Sequence, residues 1–138
     1  MHSSENLLFV YGTLRPLSDS RAASNTRKHL GTAKAQGTVY NLGWFPGAKF
    51  CEKPSDQPII GDVLVLRDKA DLRSLDGYEG YVNHEEPLSD ANLYHRKKIT
   101  VVLDETGEEV ECWAYEYNGD VRAEILIESG DFLKAAEE

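Results

Sequence analysis

Two short stretches of the chain hold residue types from which chemistry could be built. The first, "FVYGTLRP" at residues 9–16, ends a strand-like run at Tyr11 and then sets a glycine, a threonine and an arginine before Pro16. A glycine directly after a buried strand lets the backbone turn sharply and come close to another group. Successive free N–H groups in such a turn form a concavity for an anion or a carbonyl oxygen. Thr13 would add a hydroxyl and Arg15 a charge. The phosphate-loop pattern G-x-x-x-x-G-K-[ST] is absent. The five residues from Tyr11 to Arg15 alone also fit an ordinary strand-to-loop exit.

The second stretch is "LRSLDGYEGYVN", residues 72–83. Leu72, Leu75 and Glu79 fall at i, i+3 and i+7, one face of a helix if helical geometry persists that far. Gly77 is a candidate for an earlier stop. A glutamate on that face would be partly desolvated, and its pKa would rise from about 4.3 toward neutrality, as a general acid–base requires. The competing reading is a solvated acid in a turn.

Other candidates are thinner. Glu85 and Glu86 lie in the polar run "NHEEPLSDAN" and read as a solvated loop. Tyr94 and Arg96, two apart in "LYHRKKITVV", fall on the same side of a strand, either as packing and surface charge or as the wall of a pocket; Tyr117 joins them as a pocket candidate. No Ser-His-Asp or Cys-His set can be assembled, so a protein nucleophile finds no support. His2, His29, His84 and His95 lack metal-ligand spacing, and Cys51 and Cys112 lack C-x-x-C spacing. We expect free thiols, no metal and no cofactor.

Composition narrows the class. A length of 138 residues suits one domain spanning 1–138. A formal charge of −9 argues against a nucleic-acid partner. No apolar run approaches the ~20 residues of a membrane span, and no basic segment precedes Leu7–Tyr11 as in a signal peptide. A cytoplasmic protein is expected, monomeric or weakly dimeric, whose partner is a small molecule.

The elements that would position these residues are mostly strands. "NLLFVY" (6–11) is too apolar to alternate and reads as a strand buried on both faces. Residues 20–30 suggest a polar surface helix, 31–43 a long glycine-punctuated strand, and "GWFPG" (43–47) a turn. "IIGDVLVL" (59–66) is another strand. Asp68 is placed to cap a helix from 69 to about 76. "KKITVVLDETGEEVECWAYEY" (97–117) is the clearest hairpin, and 125–138 suggest a short strand and a helical end. Irregular alternation and the absence of G-x-G-x-x-G disfavour a doubly wound sheet. The reading is an α+β domain, a small mixed-strand β-barrel with one or two flanking helices.

In order along the chain stand "FVYGTLRP", "GWFPG", "GDVLVL", "LDGYEGY", "LYHRKKITV", "AYEYNG" and "IESGDFL". This series resembles the gamma-glutamylcyclotransferase-like family, with its plant avirulence-induced and gamma-glutamylamine cyclotransferase members, over nearly the whole chain. The resemblance implies a strand-rich α+β barrel with its cavity at the end of the first strand. It also implies a gamma-glutamyl group cradled by Tyr11, Gly12, Thr13 and Leu14, and Glu79 as acid and base. Phe132 stands where relatives often carry tryptophan, a change expected to touch packing. The acidic loop from Val82 to Asn92 would shape the choice of leaving amine. The implied activity is release of 5-oxoproline; the alternatives are a non-catalytic binder of a small metabolite and a structural partner protein.

Overall fold

The computed structural model describes residues 6–12, 28–42, 46–51, 58–86, 88–121, 124–127 and 129–132. Strands β1 (Leu7–Val10), β2 (Lys28–Ala35), β3 (Gly37–Asn41), β4 (Pro46–Phe50) and β5 (Ile59–Val65) precede helix α1 (Lys69–Tyr78). Then follow β6 (Tyr94–Leu103), β7 (Glu109–Tyr117) and β8 (Ile125–Leu126). Five strands close a barrel in the order β1-β5-β2-β6-β7, and β4-β3-β8 form a separate sheet. The barrel is mixed: β1 runs antiparallel to β5 but parallel to β7, where Leu8 meets Trp113. This is the α+β barrel expected, with one helix among the described residues.

The burial of β1 on both faces has a direct cause. Leu7, Phe9 and Tyr11 point into the barrel with Ile59, Val63 and Val101. The alternate residues Leu8 and Val10 point outward and are covered by Leu72 and Leu75 of α1, with Tyr94 and Tyr115. Period-two alternation thus divides one apolar strand between two cores. Burying each leucine of α1 stabilises this arrangement by roughly 1.5–3 kcal/mol. The helix begins where expected, since the Asp68 carboxylate accepts the Asp71 N–H at 2.8 Å. Asp62, polar and buried in β5, has His29 Nε2 from β2 at 2.7 Å. Phe132 packs into the barrel core, a packing role as anticipated.

Three local expectations change. Of the helix expected over 20–30, residues 20–27 lie outside the described ones, while Lys28–Leu30 open β2, with His29 opposite Leu64. Pairing with β5 overrides a weak helical preference there. The long strand over 31–43 is two strands in two sheets, broken at Gln36. Gly37 makes the break possible: its φ is +149°, and a Cβ there would lie 2.2 Å from the Lys49 carbonyl oxygen. Pro46 and Gly47, expected in a turn, begin β4, at the edge of the small sheet where proline is tolerated; residues 43–45 lie outside the described ones. The hairpin forms as read, with Ile99 opposite Cys112 and Val101 opposite Val110, turning through Gly107 at φ +72°.

Barrel closure requires close backbone approach at Gly61, where a Cβ would lie 2.3 Å from the Val10 carbonyl oxygen and 2.6 Å from the Phe9 ring. Gly61→Ala should therefore lower stability by about 2–3 kcal/mol. Urea unfolding would read this as a lower midpoint at unchanged slope.

Candidate active site

The residues after α1 explain the position of Glu79. The helix continues past Gly77 to Tyr78, so Gly77 does not end it. Glu79 is the C-cap, and Gly80 follows at φ +70°. The Gly80 N–H donates to the Gly77 carbonyl at 3.2 Å and the Tyr81 N–H to the Asp76 carbonyl at 2.8 Å. These two bonds are the Schellman arrangement, which favours glycine at the left-handed position. Each residue of "YEGY" thus has a backbone duty: last turn, cap, reversal, and a buried tyrosine beyond it. Gly80 also accepts the Leu93 N–H at 3.1 Å, bringing the start of β6 beside the helix end.

The loop between these points is held by asparagines. Asn92 is buried; its Oδ1 accepts the N–H groups of Val82 and Asn83, each at 2.8 Å, and its amide donates to the Asn83 carbonyl at 3.0 Å. Asn118 donates from β7's end to the Ser89 carbonyl at 2.8 Å. Glu85 and Glu86 are exposed on this loop, as read from the sequence.

A cavity of about 250 Å³ opens where β1 ends. Phe9 to Gly12 form one wall, with Pro46 of β4 beside them. Tyr78 and Glu79 face them from the helix end, and Leu93, Tyr94 and Tyr115 complete the described lining. Gly12 meets Pro46 so closely that a Cβ would lie 2.7 Å from its Cγ. Glu79 is the one carboxylate in the described lining, and burial pushes its pKa up to about 7.

Three phenols lie within electrostatic range of Glu79, and all stay protonated. Burial raises Tyr11 well above its ordinary value, helped by Tyr94 and Glu79. Burial, then Glu79, raises Tyr94; burial, then Asp76, raises Tyr115. Each hydroxyl donates elsewhere. Tyr11 donates to the Tyr115 carbonyl at 2.5 Å, Tyr94 to the Pro46 carbonyl, and Tyr115 to Asp76 Oδ1 at 2.7 Å. Glu79 therefore combines partial burial with the absence of these donors, the combination that makes a carboxylate basic.

Of the residues singled out in the sequence, Tyr11, Gly12, Glu79 and Tyr94 come together at the cavity. Thr13 and Leu14 lie outside the described residues. Arg96 and Tyr117 stand one layer back from the described lining. Arg96 Nε lies 3.0 Å from Asp76 Oδ1, and its guanidinium covers Trp113 at 4.3 Å. Tyr117 packs edge-on against Tyr94 at 5.7 Å. Asp76, Tyr115, Pro46, Tyr78 and Leu93 were not picked out. Asp76 had a signal: it is four residues after Leu72, on the buried face of α1. Among the described residues no group of three or more His, Cys, Asp and Glu could hold a metal ion, and no helix is long and apolar enough to cross a membrane.

Comparison with known proteins gives the family. The model of the gamma-glutamyl cyclotransferase, AIG2-like family matches residues 8–134. The chain belongs to this family. A Methanocaldococcus jannaschii relative, "Putative gamma-glutamylcyclotransferase MJ1514", is 31% identical over 127 residues, covering 91% of this chain and 93% of its own. The AIG2-like protein of Mus musculus shares the fold at a TM-score of 0.63 and 20% identity, over 86% of this chain and 81% of that one. Uncharacterized protein PH0828 of Pyrococcus horikoshii superposes at 0.65 with 20% identity, over 95% and 92%. Membership of the gamma-glutamyl cyclotransferase, AIG2-like family supports an activity of the gamma-glutamylcyclotransferase type.

A raised carboxyl pKa carries a stability consequence of defined sign. Between the ordinary value of 4.5 and about 7, the folded protein holds a proton that the unfolded chain has lost. The neutral form's advantage is complete below that window and disappears as pH rises through 7. Glu79→Gln should therefore be about 2 kcal/mol more stable than wild type at pH 8, with the gap closing by pH 5. Urea unfolding of both proteins at the two pH values measures it.

Proposed function

We propose that this protein is a gamma-glutamyl cyclotransferase, releasing 5-oxoproline and a free amine from a gamma-glutamyl amide or peptide. The observation that carries this reading is Glu79, partly buried in a cavity at the end of β1 and holding its proton to about pH 7. The substrate's α-amine attacks its own γ-carbonyl. A C–N bond to the α-nitrogen forms, the C–N bond to the leaving amine breaks, and a five-membered lactam results. Glu79 takes the proton lost by the α-ammonium and returns one to the departing nitrogen. Because the nucleophile belongs to the substrate, no Ser or Cys is required. Holding amine and carbonyl in reach of each other is worth on the order of 7 kcal/mol in a well-oriented ring closure.

In this reading the segment Tyr11, Gly12, Thr13 and Leu14, whose last two residues lie outside the described ones, receives the gamma-glutamyl group. Its N–H groups would steady the oxygen on which charge develops, each good donor being worth roughly 3 kcal/mol. The closeness of Gly12 to Pro46 supports this, since it leaves no room for a side chain at the strand end.

The test is release of 5-oxoproline from a panel of gamma-glutamyl amines and dipeptides. Wild type should turn over at least one of them, and Glu79→Gln should lose at least ~100-fold in rate while remaining folded. Full turnover by a folded Glu79→Gln would remove Glu79 from the mechanism. Saturable binding without turnover by wild type would instead make the protein a binder of the same class of metabolite.

A further inference from the structure

A second carboxylate lies one turn before Glu79 and does not enter the cavity. Asp76 is 2% exposed. Its Oδ1 accepts the Tyr115 hydroxyl at 2.7 Å and has Arg96 Nε at 3.0 Å. Its Oδ2 has His84 Nε2 at 3.6 Å, too long for a hydrogen bond. Burying an acid in this way is costly; the Tyr115 hydroxyl and the Arg96 charge offset that cost at Oδ1, while Oδ2 and Arg96 Nε make no hydrogen bond.

The groups facing Glu79 show what Asp76 adds. Tyr78 stands at the rim on α1; Tyr11 comes from β1, Tyr94 from β6 and Tyr115 from β7. The charged groups nearby, Arg96 and Asp76, are paired behind Tyr115. Tyr11 and Tyr94 donate to the backbone carbonyls of Tyr115 and Pro46, acceptors fixed by their strands. Only Tyr115 is directed by a side chain. A buried hydroxyl deprived of its acceptor takes another within reach, and the acidic side chain that shares the cavity with Tyr115 is Glu79.

We propose that Asp76 is a positioning residue for Glu79: by accepting the Tyr115 hydroxyl, it turns that phenol's proton away from the Glu79 carboxyl. A phenol donating to Glu79 would favour the carboxylate and make it a weaker base. Asp76 thus sets the proton affinity of Glu79 without touching substrate. The proposal rests on the reading of Glu79 as the proton-transfer group. Its test is made on the protein alone, however, so failure of turnover and failure of the titration are separate results.

The experiment is a carboxyl ¹³C NMR titration, with the Glu79 signal identified by its loss in Glu79→Gln. Asp76→Leu combined with Arg96→Met removes the pair together and strands no guanidinium. The Glu79 midpoint should fall by at least ~1 pH unit, and adding Tyr115→Phe should return it toward wild type. Asp76→Asn, which keeps an acceptor oxygen, should move it less. A midpoint that stays put without Asp76, or that falls equally with and without the Tyr115 hydroxyl, overturns the proposal. Tyr115→Phe alone decides the matter if the double variant does not fold. It should leave the Glu79 midpoint in place, and a rise would mean that the hydroxyl already serves Glu79.

Discussion

Every feature of the candidate site hangs on the way β1 is covered. Its inward residues Leu7, Phe9 and Tyr11 fill the barrel, and its outward residues Leu8 and Val10 lie under Leu72 and Leu75. The strand also closes the barrel, pairing with β5 on one side and β7 on the other. With both faces and both edges occupied, it has no room for chemistry along its length, so the cavity opens at its end. The helix that covers β1 stops at Gly80, and the stop puts Glu79 across from Tyr11 and Gly12. Apolar burial therefore supplies both the stability of the core and the placement of the acid.

The tyrosines carry the next level of organisation. The Tyr11 oxygen donates to the Tyr115 carbonyl and accepts the Ala48 N–H at 3.3 Å, joining β1 and β7 to β4 of the small sheet. Tyr94 donates to the Pro46 carbonyl and so ties β6 to the same strand. The small sheet is thereby pinned to the barrel at the cavity's edge. These bonds satisfy buried hydroxyls, as an interior requires. They also commit the phenolic protons to structure. The Tyr11, Tyr94 and Tyr115 rings around Glu79 thus have their hydroxyls committed elsewhere, a surrounding that favours the neutral acid.

Much of this was legible in the sequence where the controlling interaction is local. The cap at Asp68, the β6–β7 hairpin and the apolar run of β1 each follow from a few adjacent residues, and all three are present. The failures lie where distant partners decide. Lys28–Leu30 belong to β2 because β5 lies alongside, and the chain changes sheets at Gly37 because Lys49 crosses close by. Gly77 and Gly80 look alike as helix stops, but Gly80 has Leu93 bonded to its carbonyl and Gly77 faces open space. Arg96 shares a strand face with Tyr94, yet spacing could not show that a buried aspartate would hold it one layer behind the cavity.

The contrast between Asp76 and Glu79 makes the same point in energetic terms. Both are carboxylates at the end of one helix, three residues apart, and both are withdrawn from water to different degrees. Asp76 is compensated by a phenol and a guanidinium. Glu79 receives none of the three phenolic protons around it, although the rings lie close enough to feel its charge. A sequence optimised for stability alone would supply a donor to both or an apolar residue at both. Asp76 has its partners at Oδ1 while its Oδ2 makes no hydrogen bond, and Glu79, which faces the cavity, goes without any of the three phenols. Of the two acids, the one left without phenolic donors is the one at the cavity, where the proposed proton transfer would take place.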